Sequence, residues 1–557
     1  MITIIGCIDN TGSDNLDKKL KIVYENQWHN YKCNGWKLKI KLDSCYKIYE
    51  SAHGIIIHDS RINKWEDDPR NWNGSFLAIK YPEKNKPSIN IYSDRLGTIP
   101  IYIVEKGAQV YFSSKLTLLA KIGFKTLDKL AVWQLLLFNQ PLWKRSLLYN
   151  VVLQPPATCT ELSYEKPPIH KRYWHTSSNL VETSTNIIEY AESLISILKE
   201  AHQRFIITDK HTNMLPVTGG LDSRLNIALN LHNLSDVELF HSEAKGDPDS
   251  EVAYKIAKRL KKKIFVTSTA DALRKSLYLD PDDETGELNF AQSWLKYIAK
   301  QVSHKFSNPV WWDGYMQDVL FNPHLINKKQ HAEIDRQLQI AKYRLNLLGF
   351  NSTDKLFTKL FDLFLEEYKN DNKDTLTNNL DYYLENRSRR YILGTVRLAQ
   401  NYMPVLLPGI DNDVLTYGLH LPWNYRKGGI VYRETINQLA PMLAKIADSK
   451  TGLPLTSSRK QAWHKYLENI LQNNLERFWP SRPIFANPIS SIDELLRQDQ
   501  NYKNEIFKTL KTSDLVCEYI NHEKGIEYLF DLHRKGRNIG GVLQGLMTLA
   551  KFQLWIE

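Results

Sequence analysis

The sequence predicts a mixed α/β protein in two parts, a β-rich part up to about residue 170 and an α/β part after it. Short apolar runs separated by turn residues recur in the first part, a pattern typical of antiparallel strands. In the second part apolar strands alternate with helical patterns, which predicts a doubly wound parallel sheet. The length of 557 residues also exceeds what one hydrophobic core usually supports, so we expect at least two domains.

The composition is that of a folded protein, with 42% hydrophobic and 24% charged residues. The net charge of +11 would suit a nucleic-acid partner. The basic residues are scattered, however, apart from a run between Lys255 and Lys263 that ends a predicted helix, where cations complement the helix dipole. We therefore expect no nucleic-acid partner.

The cysteines and the hydropathy indicate the compartment. The five cysteines lie far apart with no zinc-ligand spacing, and such an odd, sparse set is typical of a reducing compartment. The first residues lack the charged segment of a signal peptide, and no apolar run approaches the length that spans a bilayer. We expect a cytoplasmic protein with no membrane contact.

Seven strands and one helix are predicted in the β-rich part. The strands are Ile2–Ile5, Leu38–Leu42, Gly54–Ile57, Phe76–Tyr81, Ile89–Ser93, Tyr102–Val104 and Val110–Ser113. The helix covers Leu130–Phe138. Residues 177–186 are rich in serine, threonine and asparagine, so we expect a linker there between a domain of residues 1–176 and a domain of residues 187–557.

The α/β part is organised around residues 215–224, where an apolar strand leads into Gly219 and Gly220 and a helical pattern follows. Such a turn makes an anion cradle, because glycine lets the backbone come close and the helix N-terminus presents amide donors. Thr218 and Ser223 add hydroxyls. The alternative is an ordinary strand-to-helix turn, and no Gly-Lys-Ser/Thr closes a Walker motif. The other elements predicted here are helices Ile187–His202, Leu221–Leu229 and Val252–Leu260 and strands Val237–Phe240 and Lys263–Val266.

Residues 218–223 resemble the PP-loop, Ser-Gly-Gly-x-Asp-Ser, of the ATP pyrophosphatases, which grip the β- and γ-phosphates of ATP and transfer AMP. The resemblance implies ATP and Mg²⁺ as cofactors, with Asp222 as a Mg²⁺ ligand. The residues that it assigns to the nucleotide are Thr218, Gly219, Gly220, Leu221, Asp222 and Ser223. Ser242, at the end of the next strand, is a nucleotide candidate by position only.

Three motifs of the β-rich part resemble the glutaminase domain of the asparagine synthase family, which includes asparagine synthetase B, β-lactam synthetases and lasso-peptide cyclases. They are Asn73–Phe76, Ser93–Tyr102 and Tyr111–Leu116, in the family's order and spacing. With the PP-loop they imply an N-terminal nucleophile (Ntn, αββα) type domain, similar to glutamine amidotransferases. A PP-loop synthetase domain of the adenine nucleotide α-hydrolase-like fold would follow it.

The β-rich part departs from that family at its reactive residue. Active members carry a cysteine directly after the initiator methionine, and Ile2 stands in that place here. Cys7 lies one residue past the matched Gly6 and would need a cleavage to act. Asn73 also replaces the usual aspartate. We expect a domain that does not hydrolyse glutamine.

Two later segments resemble the synthetase domain of the family. In Trp311–Phe321, Asp318 matches the aspartate that is the second Mg²⁺ ligand, and the glycine-rich part is reduced to Gly314. The alternative role of Asp318 is a helix N-cap. In residues 450–454, Lys450 matches the lysine that contacts the acyl-adenylate, and a plain surface lysine is the alternative.

One departure affects the second chemical step. Asparagine and β-lactam synthetases carry a glutamate that acts in amine attack where this chain has Pro404, and lasso-peptide cyclases lack that glutamate too. Glu385 and Tyr391 are candidate substitutes, so the expected catalytic set is Lys450, Glu385 and Tyr391.

These resemblances imply an AMP-forming carbon–nitrogen ligase that activates a carboxylate as acyl-AMP, releases pyrophosphate and joins the acid to an amine without glutamine. Two alternatives stay open: an asparagine synthetase that uses ammonia or glutamine, and an inactive scaffold. The expected partner is a small-molecule or peptide substrate that carries carboxylate and amine. A lasso-peptide cyclase would add a partner protease or leader-binding protein, and a homodimer is compatible with the sequence.

Overall fold

The computed structural model describes the chain except residues 1–2, 10–27, 34–35, 43–45, 60–67, 69–70, 82–87, 177–185, 206–209, 245, 279–286, 288–289, 324–331, 369–374 and 458–491. Ile2 and nearly all of the expected linker at residues 177–186 therefore lie outside the described residues. The fold mixes α-helices and β-sheets, as the sequence predicts. None of the helices described is long and apolar enough to cross a membrane.

The described part of residues 1–176 forms two antiparallel six-stranded sheets. Their strands are β1 Thr3–Asp9, β2 His29–Cys33, β3 Trp36–Lys41, β4 Lys47–Ser51, β5 Gly54–His58, β6 Phe76–Lys80, β7 Ser88–Ser93, β8 Tyr102–Lys106, β9 Gln109–Ser113, β10 Val152–Leu153, β11 Thr158–Ser163 and β12 Ile169–Arg172. The first sheet has the order β10-β8-β9-β1-β3-β2 and the second β12-β11-β7-β6-β5-β4. All seven predicted strands are present, with ends shifted by a few residues.

The two sheets pack face to face over a shared apolar core. Ile4 and Phe112 of the first sheet and Ile57 and Leu77 of the second are fully buried in it. The opposite face of the first sheet packs against helices α1 (Leu116–Lys121) and α2 (Lys129–Phe138). The described residues of this part contain no helix over the second sheet, so they form two packed sheets with helices on one outer face. The complete αββα arrangement stays a prediction.

The α/β part is built on a five-stranded, wholly parallel sheet. Its strands are β13 Thr212–Pro216, β14 Val237–Glu243, β15 Ile264–Ser268, β16 Pro309–Trp312 and β17 Val405–Leu406, in the order β15-β14-β13-β16-β17. Neighbouring residues along a strand face different cores, since Met214 and Trp311 pack on one side and Leu215 and Trp312 on the other. Burial on both faces explains why these strands read as continuous apolar runs.

Helices connect and cover these strands. In chain order they are α3 Ile187–Gln203, α4 Leu221–Leu229, α5 Pro248–Leu260, α6 Thr269–Ser276, α7 Trp294–Lys305, α8 Gln317–Phe321, α9 Ala332–Leu347, α10 Lys355–Tyr368, α11 Thr375–Tyr382, a π-helix over Tyr383–Ile392, α12 Leu393–Ala399, α13 Asn412–His420, α14 Trp423–Arg426, α15 Ile430–Leu439 and α16 Pro441–Ala444. Short 3₁₀ turns cover Leu231–Asp236, Phe290–Gln292 and Pro408–Ile410. The predicted helices at residues 187, 221 and 252 are all present.

The C-terminal helices return to the β-rich part. They are α17 Ile492–Gln498, α18 Gln500–Lys511, α19 Asp514–Cys517, α20 Ile526–Arg534 and α21 Gly540–Ile556. Leu543 and Leu546 of α21 share a core with Leu135 of α2 and with Phe357 of α10. The largest core in the described chain therefore joins residues from both ends of the sequence, across the boundary expected at residues 177–186.

Candidate active site

A cavity of about 400 Å³ opens at the carboxyl ends of β13, β14 and β16. The chain adds β14 and β15 on one side of β13 and then β16 and β17 on the other, so the strand order reverses between β13 and β16. Loops that leave the two strands at such a switch point diverge, and α/β sheets bind their ligands in the crevice between them. Six residues singled out from the sequence line the cavity: Thr218, Asp222, Ser223, Ser242, Gly314 and Asp318.

The loop after β13 presents backbone amide donors at the N-terminus of α4. Gly220 is the N-cap of α4 and has no side chain to accept from the first-turn amides, which leaves those amides for an anion. The Ser223 hydroxyl accepts from the Thr218 amide at 3.2 Å, and Thr218 Oγ1 accepts from the Gly220 amide at 3.2 Å. The two hydroxyls therefore fix the shape of the loop that the sequence assigned to phosphate.

Asp249, from the neighbouring helix α5, completes this loop. Its carboxylate accepts from the Gly219 amide at 3.1 Å. A Cβ on Gly219 would lie 2.3 Å from Ser449 and 2.5 Å from Asp249, whereas a Cβ on Gly220 would have its nearest neighbour 3.5 Å away. Packing therefore requires glycine at position 219 but not at 220. Sequence reasoning did not find Asp249, because an acid in the first turn of a helix is already explained by the helix dipole.

Asp222 and Asp318 lie close enough for their charges to interact. Burial and repulsion from Asp318 raise the pKa of Asp222 to about 7, although a hydrogen bond from Tyr432 lowers it. The Tyr432 hydroxyl lies 2.7 Å from Asp222 Oδ1. Burial also raises the pKa of Asp313, beside them, to about 6. A cation at these carboxylates would relieve the repulsion that raises the pKa of Asp222.

Gly314 lets the loop after β16 approach the loop after β13. A Cβ on Gly314 would lie 2.4 Å from the Cβ of Asp222. The following helix α8 has Met316 as its N-cap, with φ of 75°, and Asp318 lies inside the first turn. The alternative role of Asp318 as a helix N-cap is therefore wrong. Its place in a short helix directs the carboxylate of Asp318 to the same cavity as Asp222.

The same cavity has an apolar lining that no sequence motif indicated. Part of it comes from the first turns of α7 and part from the π-helix: Trp294, Leu295, Ile298, Tyr383 and Ile392. Flat aromatic and branched side chains of this kind suit a purine ring or the apolar body of a substrate. The signal that could have indicated this wall is the π-helix, since such helices are rare and frequent at functional sites. A π-helix cannot be recognised from the α-helical period.

The loop that carries Lys450 is tied to the glycine loop through Arg224. Arg224 is fully buried and donates to the carbonyl of Ala447 at 2.6 Å and to that of Gly219 at 3.2 Å. The Lys450 side chain is exposed and does not line the cavity as the described residues define it. Its positive charge nevertheless lowers the pKa of Asp222, so the ammonium group lies within electrostatic range of the acids.

The structure does not bring Glu385 and Tyr391 into this cavity. Glu385 forms an ion pair with Arg172 of the β-rich part at 2.6 Å. The ring of Tyr391 lies 5.2 Å from the guanidinium of Arg387. Both residues are on the π-helix, but a different face of that helix, with Ser388, is directed to the cavity. Leu221, another residue that the sequence assigned to the nucleotide, does not line the cavity either: its side chain is buried in the core.

Mg²⁺ fits the chemistry of Asp222 and Asp318. Among the described residues, no three His, Cys, Asp or Glu side chains are grouped so that they could hold an ion by themselves. A cation held by two carboxylates would take its other ligands from water and from phosphate oxygens. This is how Mg²⁺ usually binds in nucleotide sites, because it keeps much of its hydration shell.

Comparison with models of protein families and with curated proteins finds no match to this chain. Function is therefore inferred from the geometry above and from the sequence motifs.

Proposed function

We propose that this protein is an ATP-dependent, AMP-forming amide ligase of the asparagine synthase type, with an Ntn-type β domain and a PP-loop synthetase domain. The observation that carries the proposal is the meeting of the glycine loop after β13 with the Asp222–Asp318 pair at the switch point of the sheet. Phosphate donors and paired acids at one crevice match the two needs of a Mg·ATP complex.

In the first step the substrate carboxylate attacks the α-phosphorus of ATP, the bond to the bridging oxygen breaks, and pyrophosphate leaves. The first-turn amides of α4, which no side chain caps, hold the β- and γ-phosphates during this step, and the Thr218 and Ser223 hydroxyls keep the loop in shape. Asp222 and Asp318 would hold Mg²⁺, whose charge offsets that of the phosphates. Tyr432 orients Asp222, and the rate comes from positioning and charge neutralisation.

In the second step an amine attacks the acyl carbon of the acyl-adenylate and AMP leaves. We assign Lys450 to this step, because its positive charge lowers the pKa of Asp222. Arg224 also ties the loop of Lys450 to the glycine loop. Lys450 would stabilise the charge that develops on AMP. Glu385 is engaged with Arg172, so we do not assign the proton acceptor for the amine to it.

The cavity lining favours this proposal over asparagine synthesis. Aspartate carries a second carboxylate and would need a cationic partner for it. The described residues that line the cavity include no lysine or arginine. An acid with an apolar body and a single carboxylate near the reacting centre fits the wall of Trp294 and Ile298 better.

The test measures pyrophosphate and AMP release from Mg·ATP, with aspartate plus ammonia and separately with a small-molecule and peptide extract of the producing cells. We expect release with the extract, lost in Asp222→Ala and in Asp318→Ala. Release should be kept in Asp271→Ala, which removes an exposed acid that pairs with Arg274 on α6. Release with aspartate plus ammonia would establish asparagine synthesis instead. No release in any condition would support the inactive scaffold and contradict the proposal.

A further inference from the structure

Three arginines are buried in the segment that forms one wall of the cavity. Arg389, Arg390 and Arg397 expose 3%, 8% and 8% of their surface. Burial, together with the neighbouring charges of Arg390 and Arg397, lowers the pKa of Arg389 to about 10. Burying several guanidinium groups together is unfavourable unless their donors are paired, so their acceptors show what the segment is built to hold.

Their hydrogen-bond acceptors are backbone carbonyls of the β-rich part, and Arg390 in addition lies 3.6 Å from the buried carboxylate of Glu287. Arg389 donates to the carbonyl of Gly97 at 2.9 Å and to that of Gln154 at 2.8 Å. Arg397 donates twice to the carbonyl of Thr98, at 2.9 and 2.7 Å. The planar guanidinium fixes the direction of each donor, so these bonds set both distance and orientation between the two parts of the chain.

Arg390 makes a second anchorage beside the first. It donates to the carbonyls of Pro141 at 2.8 Å and of Trp143 at 2.7 Å. These carbonyls belong to the turn after α2, a separate loop of the β-rich part. The π-helix is therefore held by two loops of the β-rich part. A substitution in one loop removes only the hydrogen bonds that this loop makes to the π-helix.

The loop at residues 94–98 is rigid on its own account. The Asp94 carboxylate accepts from the amides of Leu96 at 2.9 Å and Thr98 at 3.1 Å and from that of Phe76 at 3.3 Å. Gly97 has φ of +58°, and a Cβ there would lie 2.6 Å from the guanidinium of Arg389. The loop thus presents two carbonyls in a fixed position to two arginines.

The same segment faces the cavity on its other side. Ser388, directly before Arg389, lines the cavity and donates to the Tyr315 hydroxyl at 2.9 Å. Tyr383 and Ile392 of the same π-helix line it too. We propose that the 94–98 loop is a positioning element of the active site: by holding Arg389 and Arg397, it sets the register in which Ser388 and Ile392 face the substrate.

This inference rests on the proposed function for the identity of the substrate, but the coupling between loop and wall does not depend on it. It gives the β-rich part a role in the ligase reaction that needs no glutamine chemistry. A loop that served only overall stability would change the melting temperature without altering the wall of the cavity.

Two glycines provide a matched pair for the test. Gly97 and Gly107 have nearly the same left-handed backbone, with φ of +58° and +61°, but a Cβ on Gly107 meets nothing within 4 Å. Gly97→Ala and Gly107→Ala therefore carry a similar backbone strain, and only the first pushes on Arg389. Arg397→Lys is a second variant that keeps the charge and removes the planar fork.

Hydrogen–deuterium exchange of residues 383–392 in the full chain, without nucleotide, gives the first readout. We expect exchange there to become about tenfold faster in Gly97→Ala and in Arg397→Lys, and to stay at the wild-type rate in Gly107→Ala. In the AMP-release assay we expect the amount of cell extract that gives half the maximal rate to rise about tenfold in the same two variants. Should Gly97→Ala fail to fold, Arg397→Lys decides alone.

Equal exchange in Gly97→Ala and Gly107→Ala, with Arg397→Lys like the wild type, would overturn the positioning role. Failure of the proposed function looks different. A wild-type protein that does not release AMP would contradict the ligase, while the exchange comparison would still report on the loop.

Discussion

Two buried aspartates, one in each part of the molecule, show how differently a carboxylate can be accommodated. Asp94 of the β-rich part is 1% exposed and accepts from the amides of Leu96, Thr98 and Phe76 and from the Thr98 hydroxyl. Asp222 of the α/β part has, among the described residues, one side-chain donor, Tyr432, and two acids beside it. Burial raises the pKa of both residues. For Asp222, the like charges of Asp318 and Asp313 raise the pKa further.

The difference separates a structural acid from a ligand-binding acid. Donors that converge on Asp94 fix a loop and leave no lone pair in need of a partner. Like charges around Asp222 create an unfavourable field that a bound cation removes. A raised pKa alone would not distinguish the two residues; the partners that cause it do.

The largest effect is expected from Asp222→Asn. The amide keeps the size of the side chain and a hydrogen-bond acceptor for Tyr432, but it cannot hold Mg²⁺ as a carboxylate does. We expect AMP release to fall by roughly 10²–10³-fold, the scale seen when one electrostatic partner of a transition state is removed, with an unchanged or higher melting temperature. Steady-state kinetics and a thermal melt check both, and near-normal turnover would remove Asp222 from the metal site.

Asp94→Asn is expected to lower the stability of the protein rather than its activity directly. Its NH₂ group would face amide donors, so at least one buried donor loses its acceptor, at about 1–3 kcal/mol. The melting temperature should fall by about 5 °C. A thermal melt beside that of Asp222→Asn gives the comparison directly. Equal destabilisation of the two variants would show that the donors around Asp94 are not what distinguishes the two sites.

The pH dependence of stability sharpens the comparison at Asp222. Its pKa of about 7 in the folded protein lies above the ordinary value of 3.8. Between these two values the unfolded chain has released the proton that the folded protein keeps, so folding becomes less stable as pH rises towards 7. The Asp222→Asn variant has no carboxyl group at this position, so its stability does not fall with pH for this reason. The melting temperature of the variant minus that of the wild type should therefore grow from about pH 5 to about pH 8; a constant difference would contradict the raised pKa.

The smallest effect is expected from Glu385→Gln. Glu385 is a third kind of acid, paired with Arg172 at 2.6 Å and 16% exposed in its side chain. Loss of a partly exposed ion pair should reduce stability by about 1 kcal/mol, and turnover should stay within about threefold of the wild type. A drop of more than about tenfold in turnover at unchanged stability would return Glu385 to the catalytic set expected from the sequence.

Local patterns predicted much of the fold. The strand, glycine turn and helix at residues 212–229 and all seven predicted strands of the β-rich part are present. Alternation of strands and helices also indicated the parallel sheet, and from it the edge where a ligand binds. β4 was not predicted, because its two half-buried apolar residues, Ile48 and Tyr49, stand between polar ones and give no apolar run.

Long-range packing could not be read from local patterns. The placement of α21 on α2, the contact of Asp249 with Gly219 and the apolar wall from Trp294 join residues far apart in sequence. Leu356 and Phe357 show a local limit as well: both lie in the first turn of α10, yet Leu356 is 56% exposed while Phe357 is buried. Periodicity fixes a face of the helix only to within a residue at its edge.

Calorimetric titration of the full chain with ATP, with and without Mg²⁺, tests the central claim most directly. We expect Mg²⁺-dependent binding in the wild type and in Asp271→Asn, and at least about tenfold weaker binding in Asp222→Asn and in Asp318→Asn. Binding that is indifferent to Mg²⁺ and to both cavity acids would contradict the account, because the paired carboxylates would then have no part in holding the nucleotide.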